Sequence, residues 1–233
     1  MSGGETGKAA RIPPVALVGA GPGDPELITL KGLECIRQAD VILYDNLAPA
    51  ALLDQARPCC IKTYVGKKRT EHALTQDQIN RLMIEHARAG RRVVRLKGGD
   101  PFLFGRGGEE AQALAAADVP FQVVPGVSSA MGAAAYAGVP LTHREHTSAV
   151  TFVSGHEVDK IDWTRVGASE TIVVFMGLVN CSEIAQRLIA GGRSPSTPAI
   201  AVRWATRPDQ RVVSGTLANL GRKIAEAALK PPT

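Results

Sequence analysis

From Val15 onward, short apolar runs alternate with helix-length stretches, and this alternation restricts the fold more than any other feature of the chain. The runs fall at Val15–Gly19, Val41–Tyr44, Ile61–Tyr64, Arg92–Leu96 and Gln122–Val124. Helical patterns lie near Thr29–Ala39, Gln76–Ala89, Gly107–Ala117 and Ser128–Ala137. Strands separated by helices require crossover connections, hence a mostly parallel sheet covered by helices. Thr75 stands where an N-cap belongs for the second helix, and Gly90 where the chain must leave it.

The second half reads differently. Strands are expected at Thr151–Ser154, Thr171–Phe175, Ala199–Val202 and Arg211–Ser214, with helices near Ser182–Ala190 and Leu217–Ala228. Two of these runs follow one another across Arg207-Pro208-Asp209, which predicts antiparallel pairing. The expected fold class is therefore α/β in two domains, with a mostly parallel sheet first and a mixed sheet second. Residues 1–12, polar with Gly and Ala, are expected to form a disordered lead-in. The N-terminal domain is expected over 13–142 and the C-terminal domain over 143–233, with the joint in Val139-Pro140-Leu141-Thr142-His143-Arg144. A small-molecule site is expected in the cleft between them.

Composition narrows the partners. With 45% hydrophobic but only 4% aromatic residues, the core must be built from Val, Leu, Ile and Ala. The formal net charge of +5 is scattered in groups such as Lys67-Lys68-Arg69 and Arg91-Arg92, without aromatics interleaved as stacking platforms. That pattern disfavours nucleic acid and favours a small substrate rich in carboxylates or phosphates. Cys35, Cys59, Cys60 and Cys181 contain no C-x-x-C pair and fit neither a zinc site nor a disulfide framework. Free thiols in a reducing cytoplasm are the expectation. The uncharged run from Val119 to Thr142 is broken by Pro120, Pro125 and Pro140, so no membrane span is expected. The five histidines show no metal-ligand spacing, and no metal is expected.

The chemistry concentrates where strands end. The fourth run leads into Lys97-Gly98-Gly99-Asp100-Pro101-Phe102-Leu103-Phe104-Gly105-Arg106-Gly107-Gly108-Glu109-Glu110, with five glycines between Gly98 and Gly108. Such a loop brings main chain close to a ligand, and Asp100 adds a carboxylate at the strand's carboxyl end. The first turn, Gly19-Ala20-Gly21-Pro22-Gly23-Asp24-Pro25, opens like a dinucleotide fingerprint. Asp24, however, stands where the third glycine belongs, and a carboxylate there repels pyrophosphate and suits a sulfonium or another cation. Asp45 reads equally as a general base or as a cap for the segment starting at Pro49. Lys67 reads by itself as a solvated loop lysine. Arg106 and Glu109 share a helix face, as an ion pair or as substrate contacts. Ser128 and Ser129 open a further strand-to-helix turn whose hydroxyls and amides suit a ligand's polar end. His143, Arg144 and His156 lie near the joint.

Together, Gly19–Pro25, Tyr44-Asp45, Tyr64-Val65-Gly66-Lys67, Arg95–Phe102, Phe104–Glu110, Pro125–Ser129 and Leu141–Arg144 resemble the uroporphyrinogen-III C-methyltransferases of the tetrapyrrole methylase family. The likeness runs in order from about Val15 to Leu220. It implies the two-domain fold of that family and a homodimer using S-adenosylmethionine, with S-adenosylhomocysteine as product. The implied reaction methylates uroporphyrinogen III at C2 and C7, giving precorrin-2 by way of precorrin-1. The implied cofactor residues are Pro22, Gly98, Gly99, Asp100, Leu103, Ser128, Ser129, Met176 and Ala205. Asp45 is the implied proton acceptor and Lys67 the implied proton donor. Arg106, Glu109, Arg144 and His156 are candidate substrate contacts, and Glu109 is the second choice of base. Three places depart from the family pattern: Asn46 stands where arginine is frequent, Ser128-Ser129 replaces the commoner Thr-Ser or Thr-Ala, and Arg203-Trp204-Ala205-Thr206 carries a Cβ where a glycine is usual. A sister enzyme acting on a later corrin precursor and a non-catalytic anion-binding module are the competing readings. The chain has no length for a dehydrogenase–chelatase region beside the methylase, so a single activity is expected.

Overall fold

The computed structural model describes residues 12–66 and 74–231, which form two compact units divided between Val127 and Ser128. The division falls upstream of the expected joint, so the helix beginning at Ser129 belongs with the second unit. In the first unit, strands β1 (Val15–Gly19), β2 (Val41–Tyr44), β3 (Ile61–Tyr64), β4 (Val93–Lys97) and β5 (Phe121–Val124) pair in the order β3-β2-β4-β1-β5. Every pairing is parallel. Helices α1 (Leu30–Gln38), α2 (Ala50–Leu53), α3 (Gln76–Arg88) and α4 (Gly107–Ala116) make the crossovers.

The two faces of the sheet follow the alternation of side chains along each strand. Val18, Ile42, Val94 and Leu96 pack against Ile36 of α1 and Leu52 and Leu53 of α2. Leu17, Leu43 and Val93 pack on the other face against Ile79, Met83 and Ala87 of α3 and Leu114 of α4. Thr75 caps α3 in a reciprocal capping box with Gln78, and Gly90 leaves the helix at φ +76°. Helix α2 is too short to show a period. Asp45 does not cap it: Pro49 occupies the N-cap and no side chain bonds there.

The second unit holds α5 (Ser129–Ala137), β6 (Val150–Ser154), α6 (Trp163–Gly167), β7 (Thr171–Phe175), α7 (Cys181–Ala190), β8 (Pro198–Arg203), β9 (Arg211–Thr216) and α8 (Leu220–Glu226). Parallel and antiparallel pairing are both present, as expected, but in separate two-stranded sheets, β6-β7 and β8-β9. Helix α6 has only five residues and escaped the periodicity argument. Asp162 caps it, and the Trp163 indole donates to the Val158 carbonyl at 2.8 Å. Helix α8 starts later than expected because Asn219 folds back to accept from the Thr216 amide. Among the described residues no helix is long and apolar enough to cross a membrane, and all four cysteines are free.

Asp40 joins the amino ends of β2 and β4. Its carboxylate accepts from the Arg92 amide at 2.8 Å and from the Arg57 guanidinium at 2.5 Å. The Arg92 amide is the largest of the contacts that hold its pKa below the ordinary 3.8. A lowered carboxylate contributes stability above the unfolded pKa and loses it as pH falls through the native one. Asp40→Asn is therefore expected to cost up to about 1 kcal/mol in urea unfolding at pH 6, the group being partly exposed. The difference from wild type should shrink toward zero as pH falls through the native pKa, which lies below 3.8.

Candidate active site

The strand order places a switch point between β1 and β4. From β1 the chain crosses toward β2 over the α1 face, whereas from β4 it crosses toward β5 over the α4 face. Open α/β sheets bind ligands outside the carboxyl ends of strands that part in this way. Here those ends are Gly19-Ala20-Gly21 and Lys97-Gly98-Gly99-Asp100.

Main chain from three strand ends meets directly at this point. Gly21 and Gly99 form an isolated antiparallel bridge, with the Gly99 amide donating to the Gly21 carbonyl at 2.7 Å. Both glycines adopt positive φ, +81° and +65°. A Cβ on Gly126 would lie 2.3 Å from the Gly99 carbonyl oxygen and 2.8 Å from the Gly19 Cα. Asp100 secures the arrangement: Oδ1 accepts from the Phe102 amide at 2.8 Å and Oδ2 from the Gly126 amide at 3.0 Å. Asp24 accepts from the Glu26 amide and caps a short 3-10 turn, Pro25–Leu27. Pro22, Gly98 and Leu103 are part-exposed in the same loops.

At the end of β2, both carboxylate oxygens of Asp45 are engaged. Oδ1 accepts from the Leu47 amide at 3.0 Å and Oδ2 from Arg95 Nη2 at 3.2 Å. Lys67 lies outside the described residues. Arg106 is the αL residue that starts α4, at φ 59°. Its guanidinium grips Glu109 in a fork, Nε to Oε1 at 2.9 Å and Nη2 to Oε2 at 2.7 Å. That hydrogen-bonded pairing lowers the Glu109 pKa and raises that of Arg106. Beneath the loop, Glu110 is fully buried. Its Oε1 accepts from Arg95 Nε and from Lys97 Nζ, both at 3.0 Å. Burial and, next, the neighbouring Arg95 push the Lys97 pKa below its ordinary value.

In the second unit, Ser128 is buried and caps α5 by accepting from the Ala130 amide at 3.3 Å; Ser129 follows, part-exposed. Met176 ends β7 at φ 56°, half-exposed. Ala205 is buried in the β8–β9 turn between Trp204 (φ 51°) and Thr206 (φ 66°), and Arg207 stacks 4.1 Å from the Trp204 ring. Arg144 and His156 are exposed. Ligand atoms of His143, Glu145 and His146 lie within 4.8 Å of one another on an exposed turn. The two rings stack there, and His143 Nδ1 faces the Glu145 amide at 3.2 Å.

The sequence reading also missed Arg95, Lys97 and Glu110 as one unit. The signal was present, because charges two apart in a buried strand point to one face and demand a counter-charge there.

Residues 14–221 match the family model "Tetrapyrrole (Corrin/Porphyrin) Methylases". The siroheme synthase of Acinetobacter baylyi is 52% identical over 223 residues, 94% of this chain and 49% of that protein. A siroheme synthase of Pseudomonas aeruginosa gives 52% over 94% of this chain and 48% of its own length. The chain thus spans about half the length of the curated relatives it matches. The crystal structure of uroporphyrin-III C-methyltransferase from Thermus thermophilus, complexed with S-adenosylhomocysteine, is 42% identical with a TM-score of 0.79, covering 94% of each chain. A cobalt precorrin-4 methyltransferase superposes with a TM-score of 0.83 at 30% identity, over 93% of this chain and 91% of its own.

Two glycines separate packing from open space. Gly126→Ala forces a Cβ into backbone and is expected to cost about 1–3 kcal/mol in urea unfolding. At Gly108, in the first turn of α4, a Cβ would meet nothing within 4 Å. Gly108→Ala should leave stability unchanged or raise it by up to about 1 kcal/mol.

Proposed function

Because the chain belongs to the tetrapyrrole methylase family, we propose that it transfers methyl groups from S-adenosylmethionine to C2 and C7 of uroporphyrinogen III, giving precorrin-2 by way of precorrin-1. It is an S-adenosylmethionine-dependent tetrapyrrole C-methyltransferase of the uroporphyrinogen-III type. Its product feeds sirohaem- or cobalamin-type synthesis in this reading.

One observation carries the assignment: the strand ends that meet at the switch point present main chain and carboxylates rather than a basic phosphate cradle. Gly21, Gly98, Gly99, Asp24 and Asp100 supply that surface, with Asp45 at the end of the neighbouring β2, and the cation at the end of β4, Lys97, is buried against Glu110. This donor set fits a sulfonium ligand bearing ribose hydroxyls and an ammonium group. When bound, S-adenosylmethionine supplies an electrophilic methyl group. The family resemblance assigns Pro22, Gly98, Gly99, Asp100, Leu103, Ser128, Ser129, Met176 and Ala205 to it. Asp100 also fixes the loop, each of its oxygens accepting an amide proton.

The remaining residues serve the macrocycle. Arg106 and Arg144 are cations on exposed loops suited to carboxylates by charge-assisted hydrogen bonds, and Lys67 and His156 are assigned to the same substrate. Asp45 is the better base of the two candidates. Glu109 is committed to Arg106 through both of its oxygens, whereas Asp45 meets Arg95 through one. Glu109 accordingly orients Arg106. Fixing the pyrrole carbon in line with the transferred methyl supplies most of the rate; that carbon carries no hydrogen, so Asp45 takes the compensating proton from elsewhere in the ring system as it rearranges. The protein is read as a cytoplasmic homodimer, which its free thiols suit.

Incubation with uroporphyrinogen III and methyl-labelled S-adenosylmethionine, under conditions that exclude oxygen, tests the assignment by product mass. A gain of two labelled methyl groups is expected. A chain that leaves uroporphyrinogen III untouched but methylates precorrin-2 would instead be a later-stage enzyme. Ligand binding without transfer to either would contradict an enzymatic role.

A further inference from the structure

Strand β4 carries Val93, Arg95 and Lys97 on one face. Val93 joins the apolar cluster under α3 and α4, and the face turns charged toward the ligand loops. Arg95 and Lys97 are only 5% and 4% exposed, and Glu110 is not exposed at all. Charges so deeply buried require partners.

The guanidinium of Arg95 is held on three sides. Nε donates to Glu110 Oε1 at 3.0 Å, and Nη1 to the Leu96 and Leu43 carbonyls at 2.9 and 3.3 Å. Nη2 reaches Asp45 Oδ2 at 3.2 Å. Lys97 Nζ meanwhile sits 2.9 Å from Glu110 Oε2. Two buried cations therefore share one buried anion, and the Asp45 carboxylate completes the balance. Asp45 is also the cluster's outlet, its side chain 25% exposed where Arg95's is 6%. With Oδ1 held by the Leu47 amide as well, the carboxylate has one orientation. Each oxygen keeps a second lone pair for an incoming proton.

We propose that Arg95 is a positioning residue: from inside the sheet it fixes the Asp45 carboxylate at the end of β2, with Glu110 as the buried anchor that fixes Arg95. The inference rests on the reading of Asp45 as proton acceptor. It adds a cause for that residue's geometry lying in the core, on a strand and helix remote from Asp45 in sequence. Leu47 supplies the local half of the grip and Arg95 the long-range half.

The test is a double-mutant cycle on the full chain, using uroporphyrinogen III and S-adenosylmethionine with far-UV circular dichroism to confirm folding. Asp45→Asn should lower kcat by about 10²-fold or more. Arg95→Lys keeps the charge but loses the fork. It should lower kcat by about 10-fold or more with KM for both substrates within about twofold, because a misplaced catalytic group acts on the chemical step. In the Asp45→Asn background, Arg95→Lys should add little further loss. Glu110→Asp, which keeps the anchor's charge but draws it back, provides the same comparison if Arg95→Lys folds poorly. Independent, multiplicative losses in both pairs, or an unchanged kcat for both Arg95→Lys and Glu110→Asp, would overturn the positioning role while leaving Asp45 as base. Full activity in Asp45→Asn would overturn the base assignment and the positioning role with it.

Discussion

Glu110 is buried completely and faces two buried cations, Arg95 and Lys97, and most of the site's architecture leads back to it. Lys97 ends β4, and Glu110 lies in the first turn of α4, so one carboxylate ties together both ends of the loop that runs from Gly98 to Arg106. A glycine-rich loop has high conformational freedom unless its ends are fixed. Here the ends are fixed by a contact that cannot be exchanged for water without exposing the core. Desolvation makes such clusters poor sources of net stability, but removing one partner leaves uncompensated charge in the interior. The cluster specifies one loop geometry more than it adds stability.

Several loops of both units carry local strain. Among the described residues other than glycine, seven adopt left-handed φ. Asp118 and Ala228 follow the ends of α4 and α8, whereas Phe104, Arg106, Met176, Trp204 and Thr206 belong to, or flank, segments assigned to cofactor or substrate. Such conformations persist only where the surroundings impose them, and they gather at binding and catalytic sites. The Gly19–Gly99–Gly126 contact has the same character, since backbone packs on backbone there and leaves no room for side chains. Within the first unit, the glycines at this contact serve the packing of loop on loop, which in turn presents main-chain groups at the switch point.

Much of this was legible in the sequence. Among the described residues, the apolar runs located the nine strands to within two residues, because strands of either pairing are short apolar runs bounded by turn residues. Thr75 and Gly90 marked the limits of α3 through cap chemistry alone. The short helices α2 and α6 were not legible, since four or five residues carry no period and tertiary contacts such as the Trp163 indole bond hold them. Nor was the use of the charges. Asp100 reads from sequence as ligand-facing, yet it bonds amides from two different loops. Arg95 reads as part of an apolar run, yet it reaches a carboxylate fifty residues away. Contacts at that separation depend on the pairing of β2 with β4, which no local pattern encodes.

Urea unfolding of Glu110→Gln beside Glu109→Gln tests the central claim most directly. The two residues are adjacent, and each pairs with an arginine, but only Glu110 is buried. Loss of its charge should cost about 3–5 kcal/mol, against less than about 1 kcal/mol for the exposed pair. Equal, small losses at the two positions would contradict the account.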